Sequence, residues 1–479
     1  MRFPLALTAK IAKHIIKHKL ARTPRFAMVL QLEPLHTCNL TCTGCGRIRE
    51  YSTNLKDMVP LDQCLQAANE CDAPMVSVCG GEPLIYPKIE ELISGLLEQG
   101  RVLYICTNGM FMRKKMRDYL AAIYSPALEP KLTQLLDGKL ITEKEAVTIR
   151  KSDETARNKC VIRPTQWMYW NVHVDGLEFT HDLIVEREGV FKECVEAIKM
   201  AKIIGYQVAT NTTVYKETDA QEIEDMFKYL SSLEVDGHTI SPGYDYDAAK
   251  KDMVKRLGRD PKEFFLTREM TRQKFAKILD WGKAFTIFGT PAYLEFLAGK
   301  RELPCSAWAI PTYNVRGWKA PCYVMTDGHY PTYAEMSEKV DWSKYGVDDK
   351  GCGRDPRCEN CMMHSGFEPS GALNSGLKDT WKNFKYNFGT KPKPYPASPA
   401  LAQRAFNGTS IGKGHLAEAK AAINSPRAAM NGAQSAFTRK PEPQHDHDHD
   451  HGATGGGCGT GDTTQRDELL AKIAPKKET

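Results

Sequence analysis

From about Met28 to Pro242 the chain alternates short apolar runs with longer stretches whose apolar residues recur at helical spacing. The runs Val29–Leu35, Met75–Cys79, Val102–Cys106, Tyr169–Val174, Gln207–Thr213 and His238–Ser241 read as strands. Leu61–Cys71, Ile89–Glu98, Val190–Ile204 and Ala220–Leu233 read as helices between them. Alternation of this kind predicts βαβ units with right-handed crossovers and a parallel sheet. Six units make a partly closed (β/α)6 barrel, and functional groups in such folds sit at the carboxyl ends of the strands.

The rhythm breaks in four places. Residues 124–165 are charged and helical in pattern, and read as an insertion after the third strand. Residues 267–390 are richer in aromatics, Gly and Pro and carry five cysteines, and read as a smaller cysteine-rich domain after the barrel at 28–266. Residues 391–479 hold few core formers and include the His445 to His451 run and a Gly-rich stretch around Cys458, so a disordered, low-complexity tail is expected. In residues 1–27, Ile11, Ile15, Ile16 and Leu20 alternate with Lys10, Lys13, Lys17 and Lys19. That amphipathic pattern suits a helix lying on an anionic membrane or one capping the barrel.

Composition narrows the class. A net charge of +6 over 479 residues gives no ground for a nucleic-acid partner. Fifteen cysteines in a chain this long, without a visible secretory leader, point to metal ligands or catalytic thiols in a reducing cytosol rather than disulfides. No apolar run is long enough to span a bilayer.

The first strand runs into Cys38-Asn39-Leu40-Thr41-Cys42-Thr43-Gly44-Cys45, a C-x3-C-x2-C loop. Three thiolates on one tight loop can hold three irons of a 4Fe–4S cubane and leave the fourth iron open to a small amino acid-like chelator. A zinc site or incidental core cysteines are the plainer alternatives, but structural zinc takes four protein ligands and no fourth lies nearby. Gly80-Gly81-Glu82-Pro83 follows the second strand. Together the two motifs resemble the radical SAM superfamily, which implies a catalytic cluster on Cys38, Cys42 and Cys45 and S-adenosylmethionine (SAM) held near Gly80, Gly81 and Glu82. Asn108, His173, Asp175 and Asn211, at or near strand ends, are expected to contact SAM by the same resemblance, although a buried polar group satisfied by backbone explains each about as well.

Residues 5 to 370 resemble a narrower group, the adenosylhopane synthases of hopanoid biosynthesis. The likeness is carried by Leu32-Glu33-Pro34-Leu35, Val78-Cys79-Gly80-Gly81-Glu82-Pro83, Tyr104-Ile105-Cys106-Thr107-Asn108, Val172-His173-Val174-Asp175-Gly176-Leu177, Ile240-Ser241-Pro242-Gly243-Tyr244 and Asp341-Trp342-Ser343-Lys344-Tyr345-Gly346. The insertion and the tail lie outside it. The resemblance implies addition of a 5′-deoxyadenosyl radical to the terminal alkene of a hopene (diploptene), Cys106 as the hydrogen-atom donor that ends the reaction, and a low-potential reductant such as ferredoxin or flavodoxin. It also implies a cytoplasmic enzyme with peripheral contact at the inner membrane, where its lipid resides. An apolar substrate needs an apolar cavity, for which Trp281, Tyr293, Phe296, Trp308, Trp318 and Tyr323 are candidates, as they are for ordinary core.

Cys305, Gly317 and Cys322, followed by Cys358 and Cys361, resemble the start of the auxiliary-cluster domain of some radical SAM enzymes, with Ser365 where another cysteine is expected. A second metal site, cluster or zinc, and unligated thiols both remain open. A peptide-modifying radical SAM maturase is therefore the alternative enzyme, and a non-catalytic metal scaffold the alternative of another class.

Overall fold

In the computed structural model, residues 2–152, 160–348, 352–374 and 376–407 are described. All six expected strands form: β1 (Val29–Leu32), β2 (Met75–Val78), β3 (Val102–Thr107), β4 (Met168–His173), β5 (Gln207–Val214) and β6 (Gly237–Pro242). Each pairs in parallel with its sequence neighbour. Consecutive parallel strands joined by right-handed crossovers place every connecting helix on one face. The other face becomes the inside of a curved wall.

The sequence alternates accordingly. Leu30, Leu32, Val76, Val78, Leu103, Ile105, Trp170 and Val172 share one buried core with helix residues such as Leu92, Ile93, Leu96 and Ile198. Each such side chain contributes about 1.5–3 kcal/mol by burial. The intervening residues Gln31, Ser77, Tyr104, Cys106, Asn171 and His173 face inward. Helix ends follow local chemistry. Val190–Ile204 stops at Gly205, whose φ of +110° an L side chain rarely adopts. Ala220–Ser232 starts at Asp219, whose carboxylate accepts from the Gln221 and Glu222 N–H groups.

The cysteine-rich segment continues the same sheet. β7 (Thr312–Asn314) pairs in parallel with β1, and β8 (Gly317–Pro321) and β9 (Thr326–Tyr330) extend it antiparallel. Its core residues Trp318, Phe296 and Phe367 belong to the barrel's own core. The inserted residues form the helices Glu129–Asp137 and Glu143–Arg150, the latter closed by a capping box between Thr142 and Glu145.

At the N-terminus one of the two expected readings holds, and the start of the expected tail is revised. The helix Leu5–Leu20 caps the barrel: Leu7 is fully buried, Phe3 stacks on Tyr169, and Ile11 and Ile15 pack toward Phe26, Met28 and Trp308. Ile16 and Leu20 stay exposed. The expected tail is ordered at its start, because the helix Pro399–Asn407 docks on the barrel through Ala405, Phe406 against Phe191 and Tyr229, and an Arg404–Asp225 ion pair of 2.7 Å. The His445 to His451 run and Cys458 lie outside the described residues. Among the described residues, no helix is long and apolar enough to cross a membrane.

Candidate active site

The cysteine loop leaves the carboxyl end of β1. Gly44 sits at φ +77°, and a Cβ there would strike the Phe264 ring. The loop's outer side is clamped by ions: Arg256 binds Glu186 and Asp252, Arg49 binds Asp252 at 2.7 Å, and Thr43 Oγ1 donates to Glu186 at 2.8 Å. Burial and the neighbouring charges push the Cys38 thiol up to about 12 and Cys42 well above the ordinary thiol range, with Cys45 and Cys38 among the charges acting on Cys42. The buried Cys38 and Cys42 would be thiolates only where a cation compensates them. The donor set therefore fits an iron–sulfur cluster.

The second motif locks onto this loop. Gly81 N–H donates to the Leu35 carbonyl and Glu82 N–H to the Thr37 carbonyl, both at 2.9 Å. A Cβ at Gly80 would strike the Leu35 carbonyl, and one at Gly81 the Thr37 carbonyl. The glycines thus already serve close backbone packing within the protein. The buried Glu82 carboxylate accepts from Leu84 N–H, Thr107 Oγ1 and Asn108 N–H at 3.0, 2.8 and 2.8 Å. Burial outweighs those donors and moves it up to about 7. It ties the end of β2 to the end of β3. Asn108 Nδ2 turns back to Asn39 Oδ1 at 2.8 Å and to Cys38 Sγ at 3.7 Å.

On the neighbouring strand ends His173 Nε2 meets Asp175 Oδ2 at 2.7 Å. Burial opposes a charge on His173, but Asp175 outweighs it and shifts the imidazole upward. Asp175 also accepts from Thr213 N–H at 2.7 Å, and Asn211 lies opposite His173 in the register. Cys38, Glu82, Asn108, His173, Asp175 and Asn211 are thus brought to the carboxyl ends of five adjoining units.

Cys106 sits deeper on the inner wall. Its Sγ lies 3.2 Å from Ser77 Oγ and accepts from Asn171 Nδ2 at 3.4 Å. Burial pushes this thiol up against both hydrogen bonds, so it keeps its S–H at neutral pH. Below it the wall is aromatic. Tyr104 and Tyr169 stack with centroids 5.3 Å apart, Phe288 meets Tyr169 edge-on at 5.7 Å, and Phe3 closes on Phe288 at 5.6 Å. These inner-wall aromatics come from β3, β4, the N-terminus and, through Phe288, the segment that follows the barrel. Of the aromatics expected from the sequence to line a cavity, Trp281, Tyr293, Phe296 and Trp318 are core.

Four later cysteines also converge. Cys361 feels the charges of Cys305, Cys322 and Cys358, and burial and these neighbours push Cys305 up to about 12 and Cys358 to about 11. Gly346 donates its N–H to Cys358 Sγ at 3.3 Å, and Cβ atoms at Gly346 and Gly366 would press on Cys305. Cys352 is exposed and stays outside this set.

Between the two cysteine groups runs a buried ionic chain that the motifs did not reveal. Glu33 accepts from His36 Nε2 at 3.1 Å and Arg47 Nη1 at 3.2 Å, Arg47 reaches Glu50 at 2.6 Å, and Lys319 Nζ donates to Glu50 at 2.9 Å and to the Tyr323 carbonyl at 2.9 Å. Arg47 also lies 4.5 Å over the Tyr323 ring, next to Cys322. The one available signal was a glutamate and an arginine flanking the cysteine loop.

Residues 32–126 match the radical SAM superfamily, and residues 238–386 match a domain of unknown function (DUF3463). No curated protein matches the chain. Among solved structures, Streptococcus suis SuiB bound to precursor peptide SuiA is 14% identical, with 69% of this chain and 69% of that chain covered and a TM-score of 0.43. SuiB bound to S-adenosylmethionine is 13% identical, covering 79% of this chain and 71% of that one at a TM-score of 0.42. Native anSMEcpe with bound AdoMet and Cp18Cys peptide is 16% identical, covering 80% and 100% at a TM-score of 0.40. Scores this low carry nothing about substrate.

Proposed function

Taking the chain as a radical SAM enzyme that uses a 4Fe–4S cluster and S-adenosylmethionine, we propose that it adds the 5′-deoxyadenosyl group to the terminal alkene of an apolar polycyclic lipid of the hopene type. When bound, the cluster and SAM supply a 5′-deoxyadenosyl radical. Cys38, Cys42 and Cys45 hold the cluster. Gly80 to Glu82, Asn108, His173, Asp175 and Asn211 surround SAM.

The observation that carries the reading is the neutral Cys106 thiol, set on the inner wall between the cluster loop and an aromatic floor. Forming the new carbon–carbon bond leaves a tertiary carbon radical on the lipid. Cys106 gives that carbon a hydrogen atom from its weak S–H bond. The sulfur radical so formed recovers one electron and one proton from the low-potential donor and solvent. Ser77 and Asn171 orient the thiol. Beneath it the partly buried Tyr104 and Phe288 rings, packed on the buried Tyr169, offer apolar surface worth roughly 25 cal/mol per Å² of lipid buried.

Cys106→Ala tests the donor role. The variant is expected to cleave SAM as the wild type does while the saturated adduct falls by roughly tenfold or more, about 1.4 kcal/mol in that step. Equal yields of saturated adduct from both proteins would remove Cys106 from the mechanism.

A second reading is a peptide-modifying maturase with an auxiliary cluster, favoured by the convergence of Cys305, Cys322, Cys358 and Cys361. Among the described residues, the one group of three or more His, Cys, Asp or Glu with ligand atoms all within 4.8 Å is His14, His18 and Asp72. The four thiols are spread more widely than tetrahedral zinc would require, where Zn–S bonds of about 2.3 Å draw the sulfurs together. In this reading the group held there is a second 4Fe–4S cubane, which four cysteines can ligate. Reconstituted protein is expected to hold about eight irons per chain, falling to about four in Cys322→Ala/Cys361→Ala. Four irons in both would leave the second site without a cluster.

A further inference from the structure

The helix Leu377–Phe388 buries none of its residues, yet it is firmly held. Asp379 forms two hydrogen bonds with Arg301 at 3.1 and 3.0 Å, Lys382 reaches Glu295 at 2.9 Å, and the Tyr386 hydroxyl donates to the Ile287 carbonyl at 2.8 Å. Arg2 lies 4.3 Å over the Tyr386 ring and its N–H donates to the Asn387 carbonyl at 3.0 Å. Residues 379, 382 and 386 share one helix face, and that face is the attached one.

The opposite face carries Leu377, Trp381, Phe384 and Phe388 at helical spacing. Leu377 is 92% exposed, Trp381 56% and Phe384 48%. The rings form a continuous row, with Trp381 stacked on Phe384 at 5.4 Å and Phe384 on Phe388 at 4.4 Å. Apolar residues exposed singly are ordinary, whereas a contiguous row is a mark of an interaction surface. Its flanks are basic: Lys378, Lys385 and Lys393 are exposed, and Lys385 Nζ sits 5.3 Å over the Trp381 ring. The helix's one acid, Asp379, is engaged by Arg301.

We infer that the Leu377–Phe388 face is a docking site for an anionic lipid surface. Tryptophan and phenylalanine seat at the boundary between headgroups and acyl chains, and flanking lysines meet the lipid phosphates. A second copy of this chain fits poorly, because an antiparallel twofold pairing of the face would set Lys378 of each copy beside Lys385 of the other. The inference rests on the exposed face alone and is independent of the substrate reading.

The test is cosedimentation of the full chain with vesicles of phosphatidylglycerol and phosphatidylcholine, alongside pure phosphatidylcholine vesicles. Wild type is expected to bind the anionic vesicles selectively. Trp381→Ser/Phe384→Ser should weaken that binding about tenfold or more. Lys378→Gln/Lys385→Gln should do the same at low salt, as two lipid-facing lysines are lost. Both variants should keep the wild-type melting temperature and rate of SAM cleavage. Three results would overturn the inference: no sedimentation of the wild type, equal binding by the variants, or a wild-type dimer that Trp381→Ser/Phe384→Ser dissociates.

Discussion

Cys42→Ala is expected to abolish reductive SAM cleavage, with 5′-deoxyadenosine falling below detection in single-turnover assays. The three thiols of the C-x3-C-x2-C loop lie on one short segment and feel one another's charge. Removing one leaves two protein ligands where three irons need three. Among the described residues, the neighbouring thiols are engaged elsewhere: Cys79 donates to Gln31 at 3.2 Å, Cys194 donates to the Asn108 carbonyl at 3.2 Å, and Cys106 lies between Ser77 and Asn171. The variant should still fold, because the outer clamp of Arg256, Glu186, Asp252 and Arg49 does not pass through the sulfur. Iron content and the cluster's visible absorption check the cause, and unchanged far-ultraviolet circular dichroism separates it from unfolding. Full cleavage activity in Cys42→Ala would contradict the assignment of the loop.

Arg47→Met carries the largest expected loss of stability, about 3–5 kcal/mol. Arg47 is nearly buried between Glu33 and Glu50, whose side chains are 0% and 15% exposed. Methionine fills much of the volume but leaves two carboxylates short of their main cation. The pH dependence has a definite sign. Burial alone would raise the Glu33 carboxyl, but Arg47 and His36 outweigh it and hold it well below the ordinary range. In wild type that stabilisation is fully present above the unfolded carboxyl's range and is lost only as pH falls through the lowered value. In the variant, only His36 and Lys319 still offset burial, and Glu33 takes up a proton at a higher pH. The wild-type advantage should therefore be greatest near neutrality and narrow on acidification. Thermal unfolding of the two proteins across this range checks it, and a gap that widened toward acid would contradict the account.

The barrel was legible because its strands are short runs that alternate apolar core residues with inward-facing ones and its helices are amphipathic. Leu61–Cys71, Ile89–Glu98 and Val190–Ile204 fall where the periodicity placed them. The cluster loop was legible because its ligands are local. Long-range chemistry was not: Lys319 reaches Glu50 across 269 positions, and no spacing rule connects them. β7 to β9 escaped notice because they are short and their residues, such as Lys319 and Asp327, do not alternate in an apolar pattern. The N-terminal helix read equally well as a membrane element or a cap, and packing decided it through Phe3 and Leu7, which lie outside its basic-apolar repeat. The row of Trp381, Phe384 and Phe388 emerges only from the structure, which shows that this face is left outward.

The most direct measurement combines anaerobically reconstituted protein with SAM, a low-potential reductant and diploptene, followed by mass spectrometry of the lipid extract. The account predicts a species with the combined mass of the hopene and 5′-deoxyadenosine, that is, the hopene plus the 5′-deoxyadenosyl group and the one hydrogen supplied at Cys106. Free 5′-deoxyadenosine with no lipid adduct would contradict the hopene reading and direct the search to peptide substrates.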